Sequence, residues 1–325
     1  MERPFDVVAL GELLIDFTEN GVSGQGNPLF EANPGGAPCN VLAMLCSLGR
    51  RCAFIGKVGD DLFGRQLRTA AAEVGIDTGA LILDGAAHTT LAFVKTLPNG
   101  DRDFSFYRDP GADMLLRADE LPEERIRRAR IFHFGTLSMT HPGVREATRR
   151  AAALAREGGA LLSFDPNLRP PLWESLELAR EQILWGLGQS DIVKISDNEL
   201  EFLTGETDLD AGAAVLRRQF PRIRLLNVTN GPGGSLSFAG DARAFVPAFL
   251  LGGTIETTGA GDTFCACVLS HVLEYGLDAM DGERLAGMLR FANAAAYLVT
   301  TRKGALRVMP SRAEVEALLA SCPEK

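Results

Sequence analysis

Along most of the chain, short and almost wholly apolar runs alternate with longer stretches in which apolar residues recur every three or four positions. The run FDVVAL (5–10) stops at Gly11, and CAFIGKVG (52–59), ARIFHFG (129–135), ALLSFDPN (160–167), DIVKIS (191–196) and RLLNVTNG (224–231) share its character. Runs of this kind read as strands of a parallel sheet buried on both faces. Helical stretches lie between them. PCNVLAMLCSL (38–48) follows an NPGG turn with Pro38 in its tolerated first-turn position, and DLFGRQLRTAAAEVG (61–75) ends at Gly75, a natural stop. Further helices are expected around 141–157, 175–188, 260–275 and 281–300, after DIVKIS, and beyond Pro310.

The section from about 79 to 113 departs from this rhythm. GALILDG, TTLAFVKTL and DRDFSFYRD are strands broken by turns at Pro98-Asn99-Gly100 and Asp109-Pro110-Gly111, with no helix between them. The pattern predicts one α/β body over 1–325, a parallel sheet sandwiched by helices. It also predicts a small all-strand flap built mainly from about 17–32 and 79–113. Such a flap would sit over the strand ends, where open α/β sheets bind ligands.

Composition narrows the choice of partner. Lys plus Arg number 33 against 42 Asp plus Glu, a net charge of −9, which argues against a broad surface for nucleic acid. The N-terminus lacks the layout of a signal peptide, and no apolar run is long enough to cross a bilayer. The six cysteines are scattered without paired spacing, so reduced thiols in a cytoplasmic protein are expected.

Several familiar chemistries find no motif. There is no GxxxxGK[ST] phosphate loop, no HExxH and no GxSxG, and GAGDTF has phenylalanine where a dinucleotide fingerprint needs its third glycine. A nicotinamide oxidoreductase would suit the α/β pattern but lacks that fingerprint.

What remains are small-residue turns that open onto helices. In ETTGAGDTF (256–264), a helix starting near Gly259, Ala260 and Gly261 would present three successive unpaired N–H groups, a concave anion site at the positive end of the dipole. Asp262 beside it is either an ordinary cap or a base that takes a proton from a hydroxyl attacking phosphorus. In NPGGAPCN (33–40), Gly35 and Gly36 allow close backbone approach and Asn40 offers both donor and acceptor. With Asp16, this set suits a polyol, although Asp16 could equally be a solvated strand-end residue. In FDPNLRPPLW (164–173), Arg169 could clamp a phosphate or carboxylate, or pair with Asp165.

Taken in order, these segments resemble the ribokinase-like, phosphofructokinase-B-type family of ATP-dependent sugar kinases. GELLIDF, PGGAPCNV, FIGKVGDDLFG, FYRDPGADMLL, FDPNLRPPLW, KISDNELEFLTG and RFANAAA are similar to segments of its fructokinase branch in particular, over residues 7 to about 310. The resemblance implies a three-layer sandwich with a β-lid and phosphorylation of a sugar's primary hydroxyl. In that reading Asp262 is the catalytic base and Gly259, Ala260 and Gly261 form the anion hole. Asp16, Gly35, Gly36, Asn40, Arg169 and Arg108 lie on the sugar side, while Lys194, Thr229, Gly231, Gly234 and Asn293 serve ATP. Glu199 organises Mg²⁺ through water; Ser196 stands where the family's Asn-x-x-Glu motif has asparagine. Glu256, where the family usually has aspartate, joins Thr258 and Gly304 around an activating K⁺.

Two alternatives accompany fructose phosphorylation: the same reaction on 2-keto-3-deoxygluconate, and a sugar sensor that has lost activity. A homodimer formed through the lid is also expected, because exposed strand edges invite partners.

Overall fold

The computed structural model describes residues 3–96 and 102–322. The expected Pro98-Asn99-Gly100 turn lies outside the described residues. The chain opens with β1 (Phe5–Leu10), leaves through β2 (Leu14–Val22) and β3 (Pro28–Gly35), and returns as α1 (Ala37–Ser47) and β4 (Cys52–Gly59). Next come α2 (Leu62–Glu73) and β5 (Asp77–Asp84), then a second excursion through β6 (Leu91–Thr96) and β7 (Arg102–Tyr107). Regular alternation follows: α3 (Glu123–Arg127), β8 (Ala129–Gly135), α4 (Pro142–Glu157), β9 (Leu161–Asp165), α5 (Leu176–Gln189) and β10 (Ile192–Ser196). After α6 (Asp197–Thr204), α7 (Leu209–Gln219) and β11 (Leu225–Thr229), β12 (Ser235–Ala239) and β13 (Ala242–Val246) form a hairpin. Three helices close the chain, α8 (Ala260–Tyr275), α9 (Gly282–Thr300) and α10 (Arg312–Ser321).

Nine strands make the large sheet, in the order β13-β12-β11-β10-β9-β8-β1-β4-β5, parallel from β11 to β5 with the terminal hairpin antiparallel. Its apolar strands alternate between two cores. Val7 and Ala9 face the core shared with α1, α8 and α9, whereas Val8 and Leu10 face the one shared with α4 and α5. Helices on both faces explain why β1 could be apolar at every position from Val7 to Leu10.

The second sheet has four strands, ordered β3-β2-β6-β7. Its makeup corrects the expected flap at one point. Residues 77–84 are the outermost strand of the large sheet, pairing in parallel with β4, so only β6 and β7 of the 79–113 region join β2 and β3. The pleat gives the small sheet two different faces. Phe17 and Phe93 stack at 4.8 Å on one, with Phe30 and Tyr107 edge-on to Phe93 at 5.5 and 5.4 Å. Asp16, Ala92 and Phe106 stand in register on the other.

Candidate active site

Parallel strands deliver their carboxyl ends to one rim, and the polar residues that interrupt the apolar runs collect there. A cavity of about 340 Å³ takes Glu12 from the end of β1, Asn167 and Arg169 from beyond β9, and Lys194 and Ser196 from β10. The small sheet adds Leu14, Asp16 and Phe106, and α8 adds Asp262 at its third position. A second cavity, of about 310 Å³, lies between the β12–β13 side and α9, with Thr229, Gly231, Gly234 and Asn293 on its walls beside Phe249, Phe264 and Tyr297. Thr257 and Gly261 border both cavities.

The turn between them is built from glycine for a visible reason. Gly259 holds φ at +77°, in the left-handed region, and a Cβ there would lie 2.9 Å from the Ala305 methyl. Of the three amides expected to be free at 259–261, that of Ala260 is engaged, turning back to the Thr257 carbonyl at 3.3 Å. The amides of Gly259, Gly261 and Asp262 have no protein acceptor among the described residues. A Cβ on Gly261 would come within 3.1 Å of Lys194 Nζ, so an ammonium already stands against this turn.

Asp262 faces the first cavity and accepts a hydrogen bond from Asn40 Nδ2 at 2.8 Å; it has no salt bridge among the described residues. Burial pushes its pKa up to about 6, with Asp165 adding to the rise while the Asn40 hydrogen bond, Lys194 and Arg169 restrain it. The other amide atom of Asn40, Oδ1, is buried and has no donor among the described residues.

Asp16 reaches the same cavity, and Gly35 makes room for it, since a Cβ on Gly35 would lie 2.3 Å from Asp16 Oδ2. Gly36 lines the wall with φ at +127°. Gly35 therefore acts on the cavity through Asp16 rather than by bordering it.

The two arginines separate. Arg169 lines the cavity and donates to the Leu168 carbonyl at 3.1 Å. It does not pair with Asp165, because Lys194 takes that carboxylate at 3.1 Å. Burial works against the charged form of Lys194, but Asp165 and Glu199 outweigh it and hold its pKa above the ordinary lysine value. Arg108, also expected on the sugar side, is not among the residues that line the cavity. It is buried, bonded to Asp113 at 2.5 Å, to Thr140 Oγ1 at 2.9 Å and to the Leu137 carbonyl at 2.9 Å.

Two expected nucleotide-side residues also have protein partners. Glu199 caps α6 and accepts from the amides of Leu168 at 2.7 Å and Ser196 at 2.9 Å. Its position fixes the 168 turn, while its edge still lines the cavity. Asn293 accepts from Ser235 Oγ at 2.9 Å and donates to the carbonyls of Val246 and Pro247 at 3.0 and 3.2 Å. Its amide thereby shapes the wall of the second cavity. Glu256 Oε1 accepts from the Gly304 amide at 2.6 Å, which brings two of the three expected K⁺ neighbours together, and Thr258 lines the first cavity.

Glu12 went unnoticed in the sequence. It is 3% exposed, lines the cavity, and accepts from the Ala37 amide at 2.8 Å; burial pushes its pKa up to about 7. A charged residue placed between β1 and two buried leucines was the available signal.

Known proteins share this fold. Residues 5–312 match the family profile described as pfkB family carbohydrate kinase. Fructokinase-1 of Zea mays is 45% identical over 315 residues, covering 96% of this chain and 97% of the relative. The fructokinase of Xylella fastidiosa, solved with bound ATP, superposes with a TM-score of 0.88 at 33% identity, covering 98% of this chain and 99% of that one. A double mutant of the Vibrio cholerae fructokinase, solved with fructose, ADP and potassium ion, gives a TM-score of 0.85 at 29% identity, over 98% of this chain and all of that one.

Proposed function

The chain belongs to the pfkB family of carbohydrate kinases, and from that premise we propose that it transfers the γ-phosphoryl group of ATP to the primary hydroxyl of D-fructose. The observation that carries this reading is the border shared by the two cavities. The start of α8 separates a polar cavity holding Asp262, Asp16 and Asn40 from a largely apolar one walled by Phe249, Phe264 and Tyr297. A sugar in the first and a nucleotide in the second meet at Gly261.

In the proposed reaction, the sugar hydroxyl gives its proton to Asp262 as its oxygen bonds to the γ-phosphorus. The bond from that phosphorus to the bridging oxygen breaks, and ADP leaves. The amides of Gly259, Gly261 and Asp262 aim hydrogen-bond donors at the migrating group, and the Lys194 ammonium adds fixed positive charge at the same turn. Asn40 holds Asp262 in line and keeps its unpaired Oδ1 for a sugar hydroxyl. Mg²⁺ arriving on the nucleotide would neutralise phosphate charge; Glu199, tied to two backbone amides, would meet it through water. Glu256, bonded to the Gly304 amide, fits a K⁺ site assembled around that turn together with Thr258.

The substrate choice follows from charge. Glu12, Asp16 and Asp262 all line the sugar cavity, and Arg108, bonded to Asp113, does not. A neutral polyol suits those walls better than the carboxylate of 2-keto-3-deoxygluconate, for which the cations lining the cavity are Arg169 and Lys194, the latter already paired with Asp165.

The small sheet, carrying Asp16 and Phe106, would act as a lid that excludes water from the phosphoryl group. Its aromatic face leaves Phe30 40% and Tyr107 65% exposed, which supports pairing with a second copy through the lid. No helix among the described residues is long and apolar enough to cross a membrane. Free thiols at all six cysteines fit a cytoplasmic location.

A coupled ADP-release assay over fructose, glucose, ribose, adenosine and 2-keto-3-deoxygluconate tests the assignment. Fructose should give the highest kcat/KM. Preference for the sugar acid would replace the substrate, and thermal stabilisation by fructose without ADP release would indicate a silent sensor.

A further inference from the structure

The first turn of α1 carries no cap from its own flank: Gly36 precedes it, and no neighbouring side chain accepts its amides. Glu12 supplies the acceptor from 25 residues upstream, its Oε1 taking the Ala37 N–H at 2.8 Å. The two backbones touch as well, because a Cβ on Gly36 would lie 2.5 Å from the Glu12 carbonyl oxygen. Arg108 and Asp113, the charged groups whose fields act on the Glu12 carboxyl, satisfy one another. A buried carboxylate at the positive end of a helix, bonded to its first amide, fixes where that helix starts. One turn later stands Asn40, whose amide bonds to the Gly36 carbonyl at 2.9 Å and whose Nδ2 reaches Asp262 at 2.8 Å.

We propose that Glu12 is a positioning residue for phosphoryl transfer: by pinning the first turn of α1 to the end of β1, it keeps the Asn40 amide on the Asp262 carboxylate. The inference rests on Asp262 being the base of the proposed kinase. Glu12 acts through Asn40 and takes no part in proton transfer.

The test compares Glu12→Gln, which keeps an acceptor for the Ala37 amide, with Glu12→Ala, which removes it. Two readouts are taken: the titration of the Asp262 carboxyl by ¹³C NMR, and steady-state kinetics with fructose and ATP. Both variants lack the Glu12 charge, so the comparison isolates alignment. In the alanine variant, Asp262 should titrate at higher pH than in the glutamine variant, because the Asn40 donor has drifted away. Its kcat should be lower by about tenfold or more, the scale of a small misplacement of a reacting group, with the ATP KM unchanged. Glu12→Asn, neutral like the glutamine variant but one methylene too short to reach, replaces the alanine variant should that one fail to fold. Equal Asp262 midpoints and equal kcat in the long and short variants overturn the proposal. A raised midpoint in a protein inert toward fructose upholds Glu12's role and overturns only the substrate.

Discussion

Asn40 and Asp262 are 222 positions apart in the chain, yet the Asn40 side-chain amide donates to the Asp262 carboxylate at 2.8 Å. One stands in the first turn of α1 and the other in the first turn of α8, so two helix starts converge on one carboxylate. That convergence makes Asp262 more than a local cap: its oxygen is oriented across the cavity by a residue from the other end of the sequence.

Asp262→Asn should lower turnover by ~10²–10⁴-fold, the usual worth of a positioned base. ATP affinity, measured by calorimetry, should be preserved, because the nucleotide cavity is bordered by Gly261 and not by Asp262. Turnover within a few-fold of wild type removes Asp262 from the chemistry.

The same residue sets a pH dependence. With its pKa raised to about 6, Asp262 loses its capacity to accept a proton as pH falls, so kcat/KM should drop on the acid side of about pH 6. Stability moves the opposite way. The folded pKa exceeds the unfolded one, so this group's contribution is full below about pH 4 and is lost as pH rises through about 6. The Tm of Asp262→Asn minus that of wild type should therefore grow between pH 4 and pH 7, as read by thermal melts at each pH.

Lys194→Met should be costly to the fold. The side chains of Lys194 and Asp165 are 9% and 4% exposed, and removing the cation leaves a buried carboxylate unpaired, at a cost of about 3–5 kcal/mol. Replacing both partners with apolar residues should recover much of that loss in urea unfolding. Turnover should remain low in the double variant, since the positive charge beside Gly261 is still absent.

Gly234→Ala should act on the nucleotide alone. Gly234 has φ at +105°, and a Cβ there would lie 2.3 Å from the Val246 carbonyl oxygen, on a segment that Asn293 holds in place. A distortion of about 1–3 kcal/mol corresponds to roughly a 5- to 150-fold rise in the ATP KM. The sugar KM should not change. Gly231→Ala, with no atom within 4 Å of the added methyl, serves as the milder control.

The strand and helix order was legible because strands covered on both faces have no choice but to be apolar, as at Val7–Leu10. The α8 turn was legible because its glycines answer a local backbone need. Tertiary pairing was not. Arg108 and Arg169 both lie near strand ends, and only the fold shows that one is neutralised by Asp113 while the other faces the cavity. Residues 77–84 look like the flap strands because an edge strand, covered on fewer sides, tolerates the same mixed pattern. Nothing in the neighbours of Asn293 along the chain says that its amide meets Ser235, Val246 and Pro247. Glu12 was hidden for a related reason, its partner amide lying on a different element.

Asp16 rides on the small sheet, whereas Asn40 and Asp262 belong to helices packed on the large one. Only Gly11, Glu12 and Leu13 separate β1 from β2, and only Gly36 separates β3 from α1. The proposed grip on the sugar would thus be divided between two jaws joined by short connections. Tilting one away would dismantle the grip instead of opening a tunnel, so the phosphorylated product would be let go by both sides at once.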